Sequence, residues 1–319
     1  MEKMRVYFCL VCCQLLLFTN AIAQTSSVIE VYSEQDSSFA YFVKNHQLFN
    51  ESWDTLAQPN FWRMVMATHE DSCVVNVAST RQVLFSTSYK NYKKKSSAQR
   101  VSYKDSIRKA YCLDYTTKIY LTSGKRAFYD FEKVMPSISK GIELFSDIHT
   151  DPWYAQAILL IESPGKLARS NAGAYGPFQL MKSVASSHGL KVNNQVDERK
   201  DFDKSAKGAA SLLTKTCIPA AKRILTKHQL EYCEDDLWFK LFVLHIYHAG
   251  AGNVNGLLTS IDAKSGGMDL IKTMWQSEWG GFKNASQNYS QVALATMIIL
   301  NDIVEEKSKY IYECYTTHE

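Results

Sequence analysis

Asp151-Pro152 marks the point after which this chain reads as strongly helical, and that change constrains the fold more than any other feature. Proline at a first helical position forfeits only an N–H that would be unpaired anyway, so a polar residue followed by proline is a strong helix start. The apolar run 153–162 follows and is stopped by Pro164-Gly165. Spacing predicts further helices over 184–188, 204–216, 237–247, 266–274 and 289–306. The 204–216 helix carries Ala206, Ala209 and Ala210, a small-residue face suited to close packing. The expected fold class is therefore mostly α.

The region before residue 125 reads differently. Residues 1–23 have the form of a secretory signal: Lys3 and Arg5, an apolar run from Val6 to Phe18, then Ala21-Ile22-Ala23 as the cleavage site. That run is shorter than the roughly 20 residues of a membrane span. A lipoprotein signal using Cys12 or Cys13 is the weaker reading, because both lie inside the apolar stretch. Residues 24–60 are polar and serine-rich and read as a loose leader with one helix near 39–43. Residues 73–77, 82–86 and 118–121 are β-prone; 90–95 reads as a basic solvated loop; 103–113 and 128–145 have helical spacing. No low-complexity linker divides the chain, so three parts are expected: a signal (1–23), an N-terminal accessory region of α and minor β (24–124), and a helical domain (125–319).

Composition mainly excludes. A net charge of +4 over 319 residues does not suggest a nucleic-acid binder. Cys73, Cys112, Cys217, Cys233 and Cys314 follow the signal, an odd number. Cys217 and Cys233 are the best candidates for a bridge; five small buried hydrophobes is an equally good reading. These five cysteines show no CxxC spacing and no convincing metal-ligand cluster.

Glu162 ends the apolar helix, after Ala157, Ile158, Leu159, Leu160 and Ile161. Aliphatic surroundings and the negative end of the helix dipole both disfavour a carboxylate there, so its pKa should rise toward the 6–7 that suits a general acid. On this helix alone, an acid turned to solvent is the stronger reading. Two later segments change that. Residues 170–181 form a turn-rich stretch whose glycines permit close backbone approach and which carries Gln179 among apolar neighbours. Residues 247–254, Tyr-His-Ala-Gly-Ala-Gly-Asn-Val, end a helix rich in Phe, Leu and Val.

With these residues the chain resembles the lytic transglycosylases, whose pattern is Glu-Ser, then Gly-Ala-x-Gly-x-x-Gln-x-Met, then Ala-Tyr-Asn-Ala-Gly-x-Gly-x-Val. Here they read Glu162-Ser163, Gly173 to Met181, and Ile246 to Val254. The segment 196–201 resembles the acidic stretch of the membrane-bound D-type branch. The resemblance covers about residues 125–305. It implies a lysozyme-like (goose-type, SLT) catalytic domain in which Glu162 is the catalytic acid/base. Ser163 and Ser170 fall near the reacting sugar, Gln179 and Met181 on cleft-lining positions, and Tyr289 on a late cleft aromatic. Tyr247 falls on the tyrosine whose hydroxyl orients the catalytic carboxyl. His248 stands where the family usually has Asn, Ile246 where it has Ala, and the loop between Glu162 and Gly173 is about one residue short.

The implied reaction is non-hydrolytic cleavage of the β-1,4 bond between N-acetylmuramic acid and N-acetylglucosamine, leaving a 1,6-anhydro end. The substrate's own C6 hydroxyl attacks, so the family needs no second carboxylate and no cofactor or metal. Asp197, Glu198, Asp201 and Asp203 could supply one, although a solvated loop with a helix cap is the stronger reading. Trp279 and Phe282, beside Gly280-Gly281, are the best sugar-stacking candidates, whereas Trp153, Trp238 and Trp275 read as core. The expected setting is periplasmic or outer-envelope, with peptidoglycan strands as partner. Peripheral envelope association, other cell-wall enzymes and a monomeric state fit it. A water-using muramidase on the same fold, a non-catalytic glycan-binding protein and a wall-piercing subunit of a secretion system remain open alternatives.

Overall fold

In the computed structural model, which describes residues 26–33, 38–162, 169–170 and 172–316 (without the side chains of 32–33, 38–39 and 307–316), helix accounts for 59% and strand for 13%. The mostly α expectation holds. An antiparallel hairpin, β1 (Ser26–Ser33) and β2 (Ser38–Asn45), comes first. It is followed by α1 (Gln47–Asn50) and α2 (Ala57–Ala67). Then β3 (Ser72–Val77), β4 (Val83–Ser88) and, after α3 (Tyr89–Lys93) and α4 (Ser97–Ala110), β5 (Ile119–Ser123) form an antiparallel sheet ordered β4-β3-β5. Ile107 of α4 packs on that sheet through Val75 and Ile119.

The helical body consists of α5 (Phe131–Asp147), α6 (Pro152–Glu162), α7 (Lys182–Ser187), α8 (Phe202–Leu212), α9 (Ile218–Lys227), α10 (Leu237–Ala249), α11 (Ala251–Ile261), α12 (Met268–Gln276) and α13 (Asn284–Thr316). Asp151 opens α6 as expected, its carboxylate accepting the Trp153 N–H at 2.9 Å. Helix α10 is buried on every side from Leu237 to Ile246, which a helix apolar all round requires. Its Lys240, 1% exposed, is neutralised by Asp151 at 2.8 Å. At 33 residues α13 is about 50 Å long. It packs against α6, α10 and α12 and also takes the N-terminal layer: Trp62 donates to Gln291 at 3.2 Å, and Arg81 to Asn284 and Asn288 at 3.1 and 2.7 Å.

Several local expectations are corrected. The described residues of 24–60 do not form a loose leader with a helix at 39–43: Ser26–Ser33 and Ser38–Asn45 form the hairpin, and α1 and the start of α2 follow. Val28 and Glu30 face out while Ile29 and Val31 face in, the period-2 signature of a half-buried strand. The hairpin is fixed from outside by Gln156 of α6, 2% exposed, whose amide accepts from Val43 N–H and donates to Val43 C=O, both at 2.8 Å. One side chain thus serves as the next strand, and it docks the hairpin on the helix that carries Glu162. The basic stretch 90–95 is not all loop: α3 begins there, with Ser88 capping Asn91 N–H at 3.2 Å. Helices α9 and α11 are additions to the predicted set. Cys217, buried, and Cys233, exposed, are both free, as are Cys73 and Cys112, so the expected bridge is absent among the described residues.

Candidate active site

Three elements that are far apart in sequence meet at Glu162. Helix α6 delivers it as its last residue, with Ala155 to Leu160 completely buried behind it. Helix α13 delivers Tyr289, 5% exposed, whose hydroxyl donates to Glu162 Oε1 at 2.8 Å. Helix α10 delivers Tyr247 and His248 at its C-terminal end. Desolvation raises the Glu162 pKa to about 7, against the opposing effect of the Tyr289 hydrogen bond, which stabilises the ionised form. Burial first, and the Glu162 charge after it, push up the phenols of Tyr129, Tyr247 and Tyr289. All three stay protonated near neutral pH and remain donors beside a carboxyl that titrates there.

Tyr247 does not occupy the role expected of it. Its hydroxyl donates to the Phe178 carbonyl at 2.7 Å, so it anchors the glycine-rich segment, while the carboxyl's hydrogen-bond donor is Tyr289. The reason is steric and directional. Phe178 is fully buried, stacked on Phe145 at 5.6 Å, and its carbonyl needs a partner once the turn removes it from regular structure. His248 is exposed at one edge and lies with its ring 4.6 Å from that of Tyr289, its Nδ1 3.2 Å from the Ser286 hydroxyl. Burial of its packed face lowers its pKa, so it is neutral at pH 7.

The glycine-rich segment is held by a clamp. Tyr175 and Leu180 exchange backbone hydrogen bonds at 3.1 Å in both directions, closing a tight loop. Gly176 sits in this loop at φ +86°, and a Cβ there would lie 1.8 Å from the Arg199 carbonyl oxygen. Arg199, 2% exposed, donates to the carbonyls of Gly173 and Leu180 at 3.0 and 2.9 Å and to both Asp197 oxygens at 2.8 and 2.7 Å. Gln179 takes a left-handed φ of +45° and donates to Gly176 C=O at 3.0 Å. Met181, 41% exposed, leads into α7. Ser170 is exposed and caps the turn through the Ala174 N–H at 2.9 Å. Ser163 lies outside the described residues.

The candidate second carboxylates are all engaged in the clamp and its surroundings. Asp197 pairs with Arg199, Glu198 with Lys204 at 2.8 Å, and Asp203 with Lys140; Asp201 caps α8 through Lys204 N–H at 2.9 Å. The stacking candidates separate. Trp279 is 43% exposed and lies over Gly256, whereas Phe282 is fully buried beside His245 and cannot meet a sugar. Trp153, Trp238 and Trp275 are core residues, as expected. His245 is also core: burial lowers its pKa to about 3, and it sits 2.8 Å from Ser290, which in turn accepts from Trp275 at 2.7 Å. Sequence reasoning missed Arg199 and Tyr129. Arg199 left one usable signal, its place two residues after Asp197. Tyr129 left none, since only tertiary packing brings it near Glu162.

A half-buried acid thus ends an apolar helix, with Tyr289 bonded to it and Tyr129 and Tyr247 close by. Residues 146–265 match the family model of the transglycosylase SLT domain. The match takes in Glu162, the Gly173–Met181 segment and Tyr247, and stops before Tyr289. No curated protein matches the chain.

Proposed function

We propose that this protein cleaves the MurNAc-β-1,4-GlcNAc bond of peptidoglycan without consuming water, leaving 1,6-anhydro-MurNAc ends, with Glu162 as the single acid/base. The observation that carries the reading is the Glu162 carboxyl itself, raised to about 7 and held by Tyr289 at 2.8 Å. A group with that value is populated in both protonation states at neutral pH. It gives its proton to the leaving glycosidic oxygen and then accepts one from the C6 hydroxyl as that oxygen closes on the anomeric carbon. Tyr289 orients the carboxyl and supports its ionised form between the two steps. The C6 hydroxyl belongs to the substrate and is already adjacent, so proximity replaces an enzymic nucleophile. Engagement of Asp197, Glu198, Asp201 and Asp203 elsewhere supports the one-carboxylate scheme over a paired one.

In the same reading Gln179 and Met181 line the cleft, Ser163 and Ser170 lie near the sugar, and His248 contacts substrate at its exposed edge. Residues 1–23 direct export, residues 24–124 are an accessory unit, and the domain is of the D-type branch. Digestion of purified wall in ¹⁸O-water tests the reaction type: no label should enter the new MurNAc ends. Labelled reducing ends would assign the site to a hydrolytic muramidase instead.

A further inference from the structure

The surface built by α3, α4 and the turn before β5 is unlike the rest of the chain. Residues 90–118 hold nine Lys or Arg against two Asp, whereas the whole chain is only +4, so the remainder is net acidic. Arg108 pairs with Asp105; among the described residues the side chains of Lys90, Lys94, Lys104, Lys109 and Lys118 form no ion pair. Arg100, Lys104 and Arg108 recur every four residues along one stripe of α4, and Arg100 and Arg108 are fixed by backbone carbonyls of Lys93 and Thr117 at 2.7 Å each. Partial burial, and then repulsion from Arg108, Arg100 and Lys118, lower the pKa of Lys104, as expected of a cation cluster without its anion.

We infer that this face docks the protein peripherally on an anionic lipid bilayer. Two observations favour a bilayer over a glycan. Most of the rings that could stack on sugars are already covered: Lys93 sits over Tyr89 at 4.6 Å, Lys95 over Tyr103 at 5.2 Å and Arg100 over Tyr92 at 5.3 Å, and Tyr111 is stacked on Phe85 at 5.9 Å, which leaves Tyr115 open. Beside these cations three apolar or aromatic side chains stand out to solvent, Val101 at 60%, Tyr111 at 43% and Tyr115 at 85% exposure. Cations carried on the same helix and following turn as exposed tyrosine and aliphatic side chains suit the headgroup layer, where the charges meet lipid phosphates and the rings sit at the interface. No helix among the described residues is long and apolar enough to cross a membrane, so attachment through this face lies along the surface. The site at Glu162 is not involved, and the inference stands whether or not the proposed reaction does.

The test is co-sedimentation of the full chain with vesicles of phosphatidylcholine alone and with phosphatidylglycerol added. It compares wild type, a Lys90→Gln/Lys94→Gln/Lys109→Gln/Lys118→Gln variant and a Val101→Ser/Tyr115→Ser variant. Any apolar leader is common to all three. Wild type should bind the anionic vesicles at least ten-fold better than the neutral ones, with affinity falling as salt rises. The charge variant should lose at least ten-fold of that binding, and the apolar variant several-fold, with unchanged circular dichroism. Equal binding to both vesicle types, or a charge variant that binds like wild type, overturns the inference. So does an apolar variant that binds like wild type while polyphosphate displaces the protein, since the face would then be a general polyanion site.

Discussion

Tyr289, 127 positions after Glu162 in the chain, holds that carboxyl by a 2.8 Å hydrogen bond from the last helix of the fold. The acid comes from an apolar helix that cannot solvate it, and its hydroxyl donor among the described residues comes from outside the segment matched by the family model. Helix α13 is therefore part of the candidate site as well as a packing element.

Replacing Tyr289 with Phe removes the interaction that lowers the Glu162 pKa and leaves the burial that raises it. Glycan cleavage should drop about ten-fold or more, and the basic limb of the kcat/KM profile, near pH 7 in the wild type, should move to higher pH. A pH-rate profile checks both. A limb that stays in place would mean that Tyr289 does not act on this carboxyl.

Tyr247→Phe should behave differently, because that hydroxyl holds the Phe178 carbonyl. The expected cost is about 1–2 kcal/mol of stability from a buried acceptor left unpaired. KM should rise as the Gln179 loop loosens, and the basic limb should not move. Denaturant unfolding and the same pH profile separate the two tyrosines.

Glu162 should destabilise the fold at neutral pH. With a folded pKa of about 7 against 4.5 in the unfolded chain, the native state keeps a proton that the unfolded chain has released. Stability is fully present below the unfolded value and is lost progressively as pH rises from about 4.5 through about 7, by on the order of 3 kcal/mol. Glu162→Gln should therefore melt higher than wild type at pH 8 and equally at pH 4, while losing activity. Calorimetry at the two pH values decides it.

Arg199→Met leaves Asp197 unpaired and strips donors from the Gly173 and Leu180 carbonyls. Breaking a buried pair of this kind costs about 3–5 kcal/mol. Gly176→Ala should be comparably damaging, since it puts a Cβ onto the Arg199 carbonyl at a left-handed φ. Thermal unfolding measures both, and an Arg199→Met protein as stable as wild type would show that the clamp is dispensable.

What could be read from sequence was local. Helix α6, its start at Asp151-Pro152 and the unusual acid at its end follow from neighbours within a few residues. The same holds for β3 and β4, whose β-prone runs lie next to each other. The hairpin at 26–45 was hidden because its serine-rich strands depend on Gln156, more than a hundred residues away, to complete them. Motif position placed a tyrosine against Glu162 but selected the wrong one: which phenol reaches the carboxyl depends on how α13 crosses α6 and α10, and no spacing encodes that. Phe282 beside two glycines looked like a surface ring until its burial against His245 showed otherwise.

The most direct test of the account is the mass spectrum of muropeptides released from purified wall by wild type and by Glu162→Gln. Wild type should release 1,6-anhydro-MurNAc ends and the variant at least a hundred-fold fewer, the general acid–base contribution being about 10²–10⁴. Anhydro ends released at the wild-type rate by Glu162→Gln would contradict it.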